Sequence, residues 1–177
     1  MKACPGIHIN FRIDNGLKTI FGSNSSKLGG CLKCYIAHST DPEIRRNAAS
    51  GGIATALSLY LLRSGKIDAV AATVIKEGNS VETAPLLCKS EEQVLKSMGS
   101  KYCPTTVNSI IKDIDSNSVK SLMLVGLPCQ VQGICNAGKI KPLKKMSPLL
   151  TIGLLCGGMR GREATGWIFR KNRIKMN

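Results

Sequence analysis

Two cysteines directly follow apolar segments, at positions where thiols could carry redox or metal chemistry. Residues 121–127 are mostly apolar and predict a short buried strand, which Pro128 ends just before Cys129. Residues 149–155 repeat this pattern and lead into Cys156. Ligands of open α/β sheets bind at the carboxyl ends of strands, so two parallel neighbouring strands would bring both thiols to one edge. We therefore expect a redox site at that edge.

Two glycines form a second candidate site. Ser50, Gly51 and Gly52 precede residues 53–62, which are predicted to form a helix that ends at Gly65. Backbone N–H groups at a helix N-terminus favour anions, and glycine allows a ligand to approach them closely. The residues themselves leave two interpretations open, a phosphate cradle and a sharp turn without a ligand.

A third candidate site lies on a loop that contains Lys101 and Tyr102. A capping box at its start predicts a helix over residues 90–98, and Gly99 breaks that helix. The lysine can neutralise a negative charge, and the tyrosine can stack on a ring or form a hydrogen bond. The loop is therefore a candidate cofactor contact.

The remaining cysteines suggest several weaker possibilities. Eight cysteines in a chain expected to be intracellular do not predict a disulfide framework. Cys31 and Cys34 form a C-x-x-C pair that lacks a second pair, so an accidental spacing and a zinc module both remain open. Cys4 precedes a proline, as at the end of a bacterial ferredoxin motif, but taken alone it is an unligated thiol. Cys88 lies in an apolar run and is expected in the core.

Composition limits the class of protein. The chain has 177 residues, of which 43% are hydrophobic, and no apolar run approaches the roughly 20 residues of a membrane span. We expect a cytoplasmic protein with no signal peptide and no membrane span. The net charge is +14, but aromatic residues are only 4%, so no nucleic-acid partner is predicted. A polyanionic cofactor, an acidic protein partner or a solvated basic face would each explain the charge.

The predicted elements alternate between strands and helices. In chain order they are a strand at 35–37, a helix from 42, strands at 67–75 and 81–88, helices at 90–98 and 105–114, a strand at 121–127, a helix at 130–136, a strand at 149–155 and a helix at 163–173. This order predicts an α/β fold, a mixed, mostly parallel sheet with helices on its faces. We expect residues 1–30 to be a loop-rich lead-in and residues 31–177 to form the α/β domain.

Five motifs together resemble the beta-subunit family of coenzyme F420 hydrogenases and dehydrogenases. They lie at residues 34–41, 50–57, 99–102, 127–130 and 153–156, in the order and at the spacing typical of that family. The resemblance implies an iron–sulfur flavoprotein oxidoreductase subunit that passes electrons between a [4Fe–4S] cluster, FAD and coenzyme F420 or a similar hydride carrier. It also implies other redox subunits, of a hydrogenase or dehydrogenase, or ferredoxin as partners.

The resemblance assigns roles to individual residues. It places four residues beside the flavin and two at its other contacts: Ser50, Gly51, Gly52 and Thr55, then Lys101 and Tyr102. It makes Cys129 and Cys156 ligands of the [4Fe–4S] cluster nearest the flavin. It also makes Cys4, as the tail of a ferredoxin-like segment, a further candidate ligand.

A four-cysteine cluster needs ligands beyond Cys129 and Cys156. The family is expected to carry a further C-x-x-C in a C-terminal region, which is absent from residues 157–177. We therefore expect the chain to be an incomplete part of a longer polypeptide. The alternative, from a different functional class, is a non-catalytic remnant or an electron-relay subunit that docks on a redox partner through its basic C-terminal helix.

Overall fold

The computed structural model describes residues 33, 35–116, 119–140, 149–159 and 161–174. Within these residues four strands form one sheet: β1 (Ala69–Lys76), β2 (Asn79–Cys88), β3 (Leu122–Gly126) and β4 (Leu149–Gly153). Their spatial order is β2-β1-β3-β4; β1 pairs antiparallel with β2 and parallel with β3, and β3 pairs parallel with β4. The predicted mixed, mostly parallel sheet is confirmed.

Helices connect the strands. They are α1 (Pro42–Asn47), α2 (Ile53–Arg63), α3 (Glu91–Lys96), a 3₁₀ turn (Val107–Ile110) that continues as α4 (Ile111–Ser116), α5 (Pro128–Ile140) and α6 (Arg162–Lys171). Two begin with side-chain caps, and the one at Ser90 is the capping box that the sequence predicts. The Asp41 carboxylate accepts from the first backbone N–H groups of α1, and Ser90 and Gln93 form a reciprocal capping box on α3.

Both faces of the sheet are buried, which explains the nearly continuous apolar runs of β1 and β3. Side chains alternate between the faces of a strand, so alternate residues belong to different cores. Ala69, Ala71, Leu122 and Leu124 pack with the 3₁₀ turn, α4 and α5, through Val107, Ile110, Ile114 and Ile134. Val70, Ala72 and Met123 pack with α1, α2 and α3, through Ile44, Leu59 and Val94. Helices therefore cover both faces, as predicted.

The predicted strand at 35–37 is wrong. Tyr35 is 78% exposed and Ile36 is fully exposed, and neither residue pairs with a strand in the described part of the chain. The backbone that follows packs on the Gly51 turn instead, where the Ser39 N–H donates to the Gly51 carbonyl at 2.6 Å. Three apolar residues resemble a strand locally, but a strand needs a partner edge, and the described residues supply none at this segment.

Several predicted boundaries also shift. The helix predicted from 105 begins with a 3₁₀ turn at Val107, because Thr105 is held by side chains from other elements. The helix predicted from 130 begins at Pro128, since proline at the first helical position lacks only an N–H that would have no helical partner. The strand predicted over 149–155 ends at Gly153, where its pairing with Gly126 ends.

Two local predictions about β2 are confirmed. Proline within a strand predicts an edge position or a bulge for Pro85, and β2 is an edge of the sheet. The apolar run around Cys88 predicts a core position, and Cys88 is 0% exposed. Burial raises the pKa of the Cys88 thiol to about 11, so this cysteine is an inert core residue at neutral pH.

Candidate functional site

A cleft of about 900 Å³, here named the central cleft, opens at the carboxyl ends of β3 and β4. Most of the predicted cofactor residues line it, together with one predicted cluster cysteine: Ser50, Gly52, Thr55, Lys101, Tyr102 and Cys156. Its volume is within the range of small-molecule and cofactor sites. The fold therefore brings together motifs that are far apart in the sequence.

The glycine turn lies at one wall of the central cleft and begins α2. Gly52 has φ +76° and caps the helix, and a Cβ at this position would lie 2.9 Å from Cγ2 of Ile44. A Cβ at Gly51 would lie 2.6 Å from the Ala37 carbonyl oxygen, and Gly51 does not line the cleft. Close packing thus accounts for both glycines. It also supports the sharp-turn interpretation for Gly51.

The N-terminus of α2 faces the central cleft. Its first helical hydrogen bond runs from the Ala56 N–H to the Gly52 carbonyl, so the three preceding N–H groups have no acceptor within the helix. Ala54 and Thr55 in this first turn line the cleft. Backbone donors, the helix dipole and the Thr55 hydroxyl therefore favour an anionic group at this wall.

Lys101 lies on the loop that follows α3 and has a structural role of its own. Its ammonium donates to three carbonyl oxygens just beyond α3, those of Ser97, Met98 at 2.7 Å and Gly99 at 3.0 Å. An ammonium has three donors, so these bonds occupy all of them. Burial lowers the pKa of Lys101 to about 8, an effect that Cys88 opposes. Lys101 therefore supplies the cleft with a fixed, titratable positive charge.

Tyr102 forms part of the rim of the central cleft. Its side chain is 74% exposed, so the ring is accessible for stacking. Its backbone carbonyl accepts a 2.8 Å hydrogen bond from the Thr165 hydroxyl, and Thr165 is buried on α6. The rim is thereby tied to the C-terminal helix.

The two cysteines predicted as cluster ligands follow equivalent positions on neighbouring parallel strands. Gly126 pairs with Gly153 at the ends of β3 and β4, and the Leu154 N–H extends this contact by donating to the Gly126 carbonyl at 2.8 Å. Each cysteine comes three residues after its glycine. Cys129 lies in the first turn of α5 and Cys156 in the segment after β4, and both are exposed. The sheet thus delivers both cysteine-bearing segments to one edge.

The described residues do not complete a metal site. Among them, no group of three or more His, Cys, Asp and Glu side chains is placed to hold a metal ion. Cys4, Cys31 and Cys34 lie outside the described residues, so the cluster role of Cys4 stays a prediction. Cys129 and Cys156 alone offer fewer thiols than the four that a [4Fe–4S] cluster takes.

The sequence reasoning missed Gln130, which also lines the central cleft. Its side chain accepts from the Leu127 N–H at 2.8 Å and donates to the Thr105 carbonyl at 2.9 Å. A glutamine at the third helical position that bonds the backbone of the capping residue is half of a capping box. That spacing was a usable signal, but the contact with Thr105 required the tertiary structure.

No helix in the described ranges is both long and apolar enough to cross a membrane.

Two protein-family models match the chain. The N-terminal model of the coenzyme F420 hydrogenase/dehydrogenase beta subunit matches residues 34–112, and the C-terminal model of the same subunit matches residues 119–177. Both models match in the order that the family has. Together they span the elements that form the central cleft.

Individual relatives agree with this match. The beta subunit of coenzyme F420 hydrogenase from Methanosarcina barkeri is 33% identical over 135 residues, covering 73% of this chain and 45% of the relative. The beta subunit of F420-dependent formate dehydrogenase 1 from Methanococcus maripaludis is 33% identical over 126 residues, covering 70% and 31%. The chain therefore spans less than half the length of these curated relatives.

A solved structure shares the fold. It is a chain of the F420-reducing [NiFe] hydrogenase complex from Methanosarcina barkeri, with a TM-score of 0.67 and 26% sequence identity, and the match covers 77% of this chain and 49% of that one. Two family models in register, related sequences and a common fold thus agree with the five motifs read from the sequence. The chain belongs to the coenzyme F420 hydrogenase/dehydrogenase beta subunit family, a family of oxidoreductase subunits.

Proposed function

We propose that this chain is part of an iron–sulfur flavoprotein oxidoreductase subunit. It passes electrons between a [4Fe–4S] cluster, FAD and coenzyme F420 or a similar hydride carrier. The observation that carries the proposal is the central cleft, where Ser50, Thr55, Lys101 and Tyr102 meet beside Cys156.

The volume and charge of the central cleft support FAD as its ligand. The N-terminus of α2 and Lys101 supply the positive potential that a pyrophosphate requires, and Ala54 places only a small side chain at this wall. Tyr102 at the rim offers a ring face for stacking. When bound, the flavin would supply chemistry that couples single-electron transfer to hydride transfer.

The thiols of Cys129 and Cys156 are proposed as cluster ligands. Both are exposed and follow the paired ends of β3 and β4, so these two segments would hold the cluster if it binds here. The further ligands would come from cysteines outside the described residues, among them Cys4, or from another polypeptide.

Substrate and partners are proposed from the relatives. Their names specify coenzyme F420, a hydrogenase and a formate dehydrogenase, and the solved relative belongs to a complex. We therefore propose other redox subunits or ferredoxin as electron partners, and F420 or a similar small hydride carrier as the organic partner.

The proposal is tested by anaerobic purification of the whole chain, followed by absorption spectra and assays of FAD, iron and sulfide. We expect stoichiometric FAD in the wild-type protein, and iron that falls sharply in C129S and C156S. The C135S variant is a matched control, because Cys135 is also exposed and lies further along α5.

Each cofactor has its own contradicting result. Failure of the folded chain to bind FAD would contradict the flavin site, and it would favour the remnant interpretation. Iron that is present in the wild type and equal in C129S and C156S would contradict cluster binding by these cysteines.

A further inference from the structure

Gln130 bridges the cysteine-bearing turn and the wall of the central cleft. Its Oε1 accepts from the Leu127 N–H at 2.8 Å, and its Nε2 donates to the Thr105 carbonyl at 2.9 Å. Gly126 leaves room for this side chain, since a Cβ there would lie 3.1 Å from Gln130 Oε1. The amide thus links the start of α5 to the segment that follows Tyr102.

The peptide group between Gly126 and Leu127 is held at both of its polar atoms. Its N–H donates to Gln130, and its carbonyl oxygen accepts from the Leu154 N–H at 2.8 Å. Leu127 lies two residues before Cys129, and Leu154 lies two residues before Cys156. The orientation of this one peptide group therefore affects how both cysteine-bearing segments leave the sheet.

The other end of the bridge is anchored in the edge strand. The Thr83 hydroxyl, on β2, donates to the Pro104 carbonyl at 3.0 Å and also contacts the Thr105 hydroxyl. Thr83 is buried, so these contacts are shielded from water. A polar network thus runs from β2 through the cleft wall and Gln130 to the end of β3.

We infer that Gln130 is a positioning residue that holds Cys129 and Cys156 in a fixed relation to the central cleft. The inference rests on the proposed function, which gives these thiols a redox role. An amide supplies the acceptor for the Leu127 N–H and the donor for the Thr105 carbonyl together. A carboxylate supplies only the acceptor and places a negative oxygen against the Thr105 carbonyl.

The test measures thiol alkylation in the whole chain without added cofactor, with each cysteine followed by peptide mass spectrometry. In Q130E and Q130M, the alkylation rates of Cys129 and Cys156 should change about threefold or more, the effect expected when at least one hydrogen bond is lost. The rate of Cys135 should stay constant, because it lies beyond the bridged turn. N136D is the matched control variant, since it makes the same amide-to-acid change on α5.

Cys88 reports on unfolding in the same experiment, because it is 0% exposed in the folded chain. If Q130E alone exposes Cys88, the alkylation rates of Q130M decide the test, because methionine keeps the side-chain size without adding a charge. Unchanged rates at Cys129 and Cys156 in folded variants would overturn the inference. So would a rise at Cys88 in both variants that matches the other changes, which would indicate a purely structural role.

A parallel titration with FAD separates this inference from the proposed function. We expect FAD affinity to fall about threefold or more in Q130E and Q130M, because the Thr105 wall loses its support. A wild-type chain that binds no FAD would contradict the proposed function and leave the alkylation comparison valid. Equal FAD affinity together with unchanged thiol rates would overturn the role of Gln130 alone.

Discussion

Gly52 is constrained at the residue scale by both its backbone and its surroundings. Its φ of +76° lies in the left-handed region, and Cγ2 of Ile44 occupies the space that a Cβ would need. Gly78 has a similar φ of +74° but nothing within 4 Å of the corresponding Cβ position. Substituting each glycine therefore separates the free-energy cost of the left-handed conformation from the cost of a steric clash.

The first prediction compares G52A with G78A. The left-handed conformation costs an alanine about 1–2 kcal/mol, so G78A should lose about that much free energy of unfolding. G52A should lose more than G78A, because it adds the clash with Ile44. Urea unfolding measures both. Equal losses would show that Ile44 moves away without cost.

Lys101 is predicted to make flavin affinity depend on pH. Burial lowers its pKa to about 8, so its charge is present below that pH and is lost as the pH rises through it. FAD carries a negative pyrophosphate, so its affinity should fall as the pH rises through about 8. Fluorescence titration across this range measures the effect.

The controls for Lys101 use neutral substitutions. K101Q should bind FAD more weakly at neutral pH and lose the pH dependence. K96Q should behave like wild type, because Lys96 is exposed on α3 and pairs with Glu92 at the surface. A wild-type affinity that is constant between pH 7 and pH 9 would contradict an electrostatic role for Lys101.

The titration of Lys101 also makes the stability of the ligand-free chain depend on pH. Stability should rise over the pH range in which FAD affinity falls. The folded pKa of Lys101 is below the value of about 10.4 for an unfolded lysine, so the unfolded state binds more protons between these two values. The contribution of Lys101 to stability therefore rises from about pH 8 upward. If the free energy of unfolding of K101Q does not rise with pH in this range, the rise in the wild type is due to Lys101.

At the scale of elements, α3 supports the wall of the central cleft from both of its ends. Its N-terminus has the Ser90–Gln93 capping box, and the carbonyls beyond its C-terminus accept from Lys101. Its core contact is Val94, which is 1% exposed. The position of the Lys101 loop thus depends on the integrity of a six-residue helix.

The capping box yields a prediction for this element. S90A should lose about 1 kcal/mol of unfolding free energy, since the Gln93 N–H loses its acceptor. S90T keeps a hydroxyl acceptor and should recover most of the loss. Chemical denaturation compares the three proteins. Equal stability of S90A and wild type would indicate that water replaces the cap.

At the scale of the whole molecule, the central cleft exists only in the folded chain. Its walls come from α2, the Lys101 loop, the end of β3 and the segment after β4. The two cores on either face of the sheet hold these elements in place. A ligand of the cleft therefore binds the native state and not the unfolded one.

The whole-molecule prediction is thermal stabilisation by FAD. At a free concentration of about 100 Kd, FAD should add about 2.7 kcal/mol of stability. For a chain of this size, that corresponds to a rise in Tm of about 5–10 °C. Differential scanning fluorimetry of the apoprotein with and without FAD measures the shift. An unchanged Tm at saturating FAD would contradict binding in the cleft.

Local patterns predicted much of this fold. Caps at Asp41 and Ser90, the apolar runs of β1 and β3, and Pro85 on an edge strand follow from local chemistry or from one-dimensional periodicity. The strand expected at 35–37 failed because pairing is not a local property. The backbone that follows this segment bonds to the Gly51 turn and not to a neighbouring strand.

The sequence by itself determined the family, the alternating elements and the types of residue that could bind a cofactor. Motif spacing and apolar periodicity are properties of the chain alone. Only the tertiary structure decided that Gly51 packs against Ala37 and that Gln130 reaches Thr105. These contacts join residues from separate elements, and the packing of the sheet and its two cores fixes their distances.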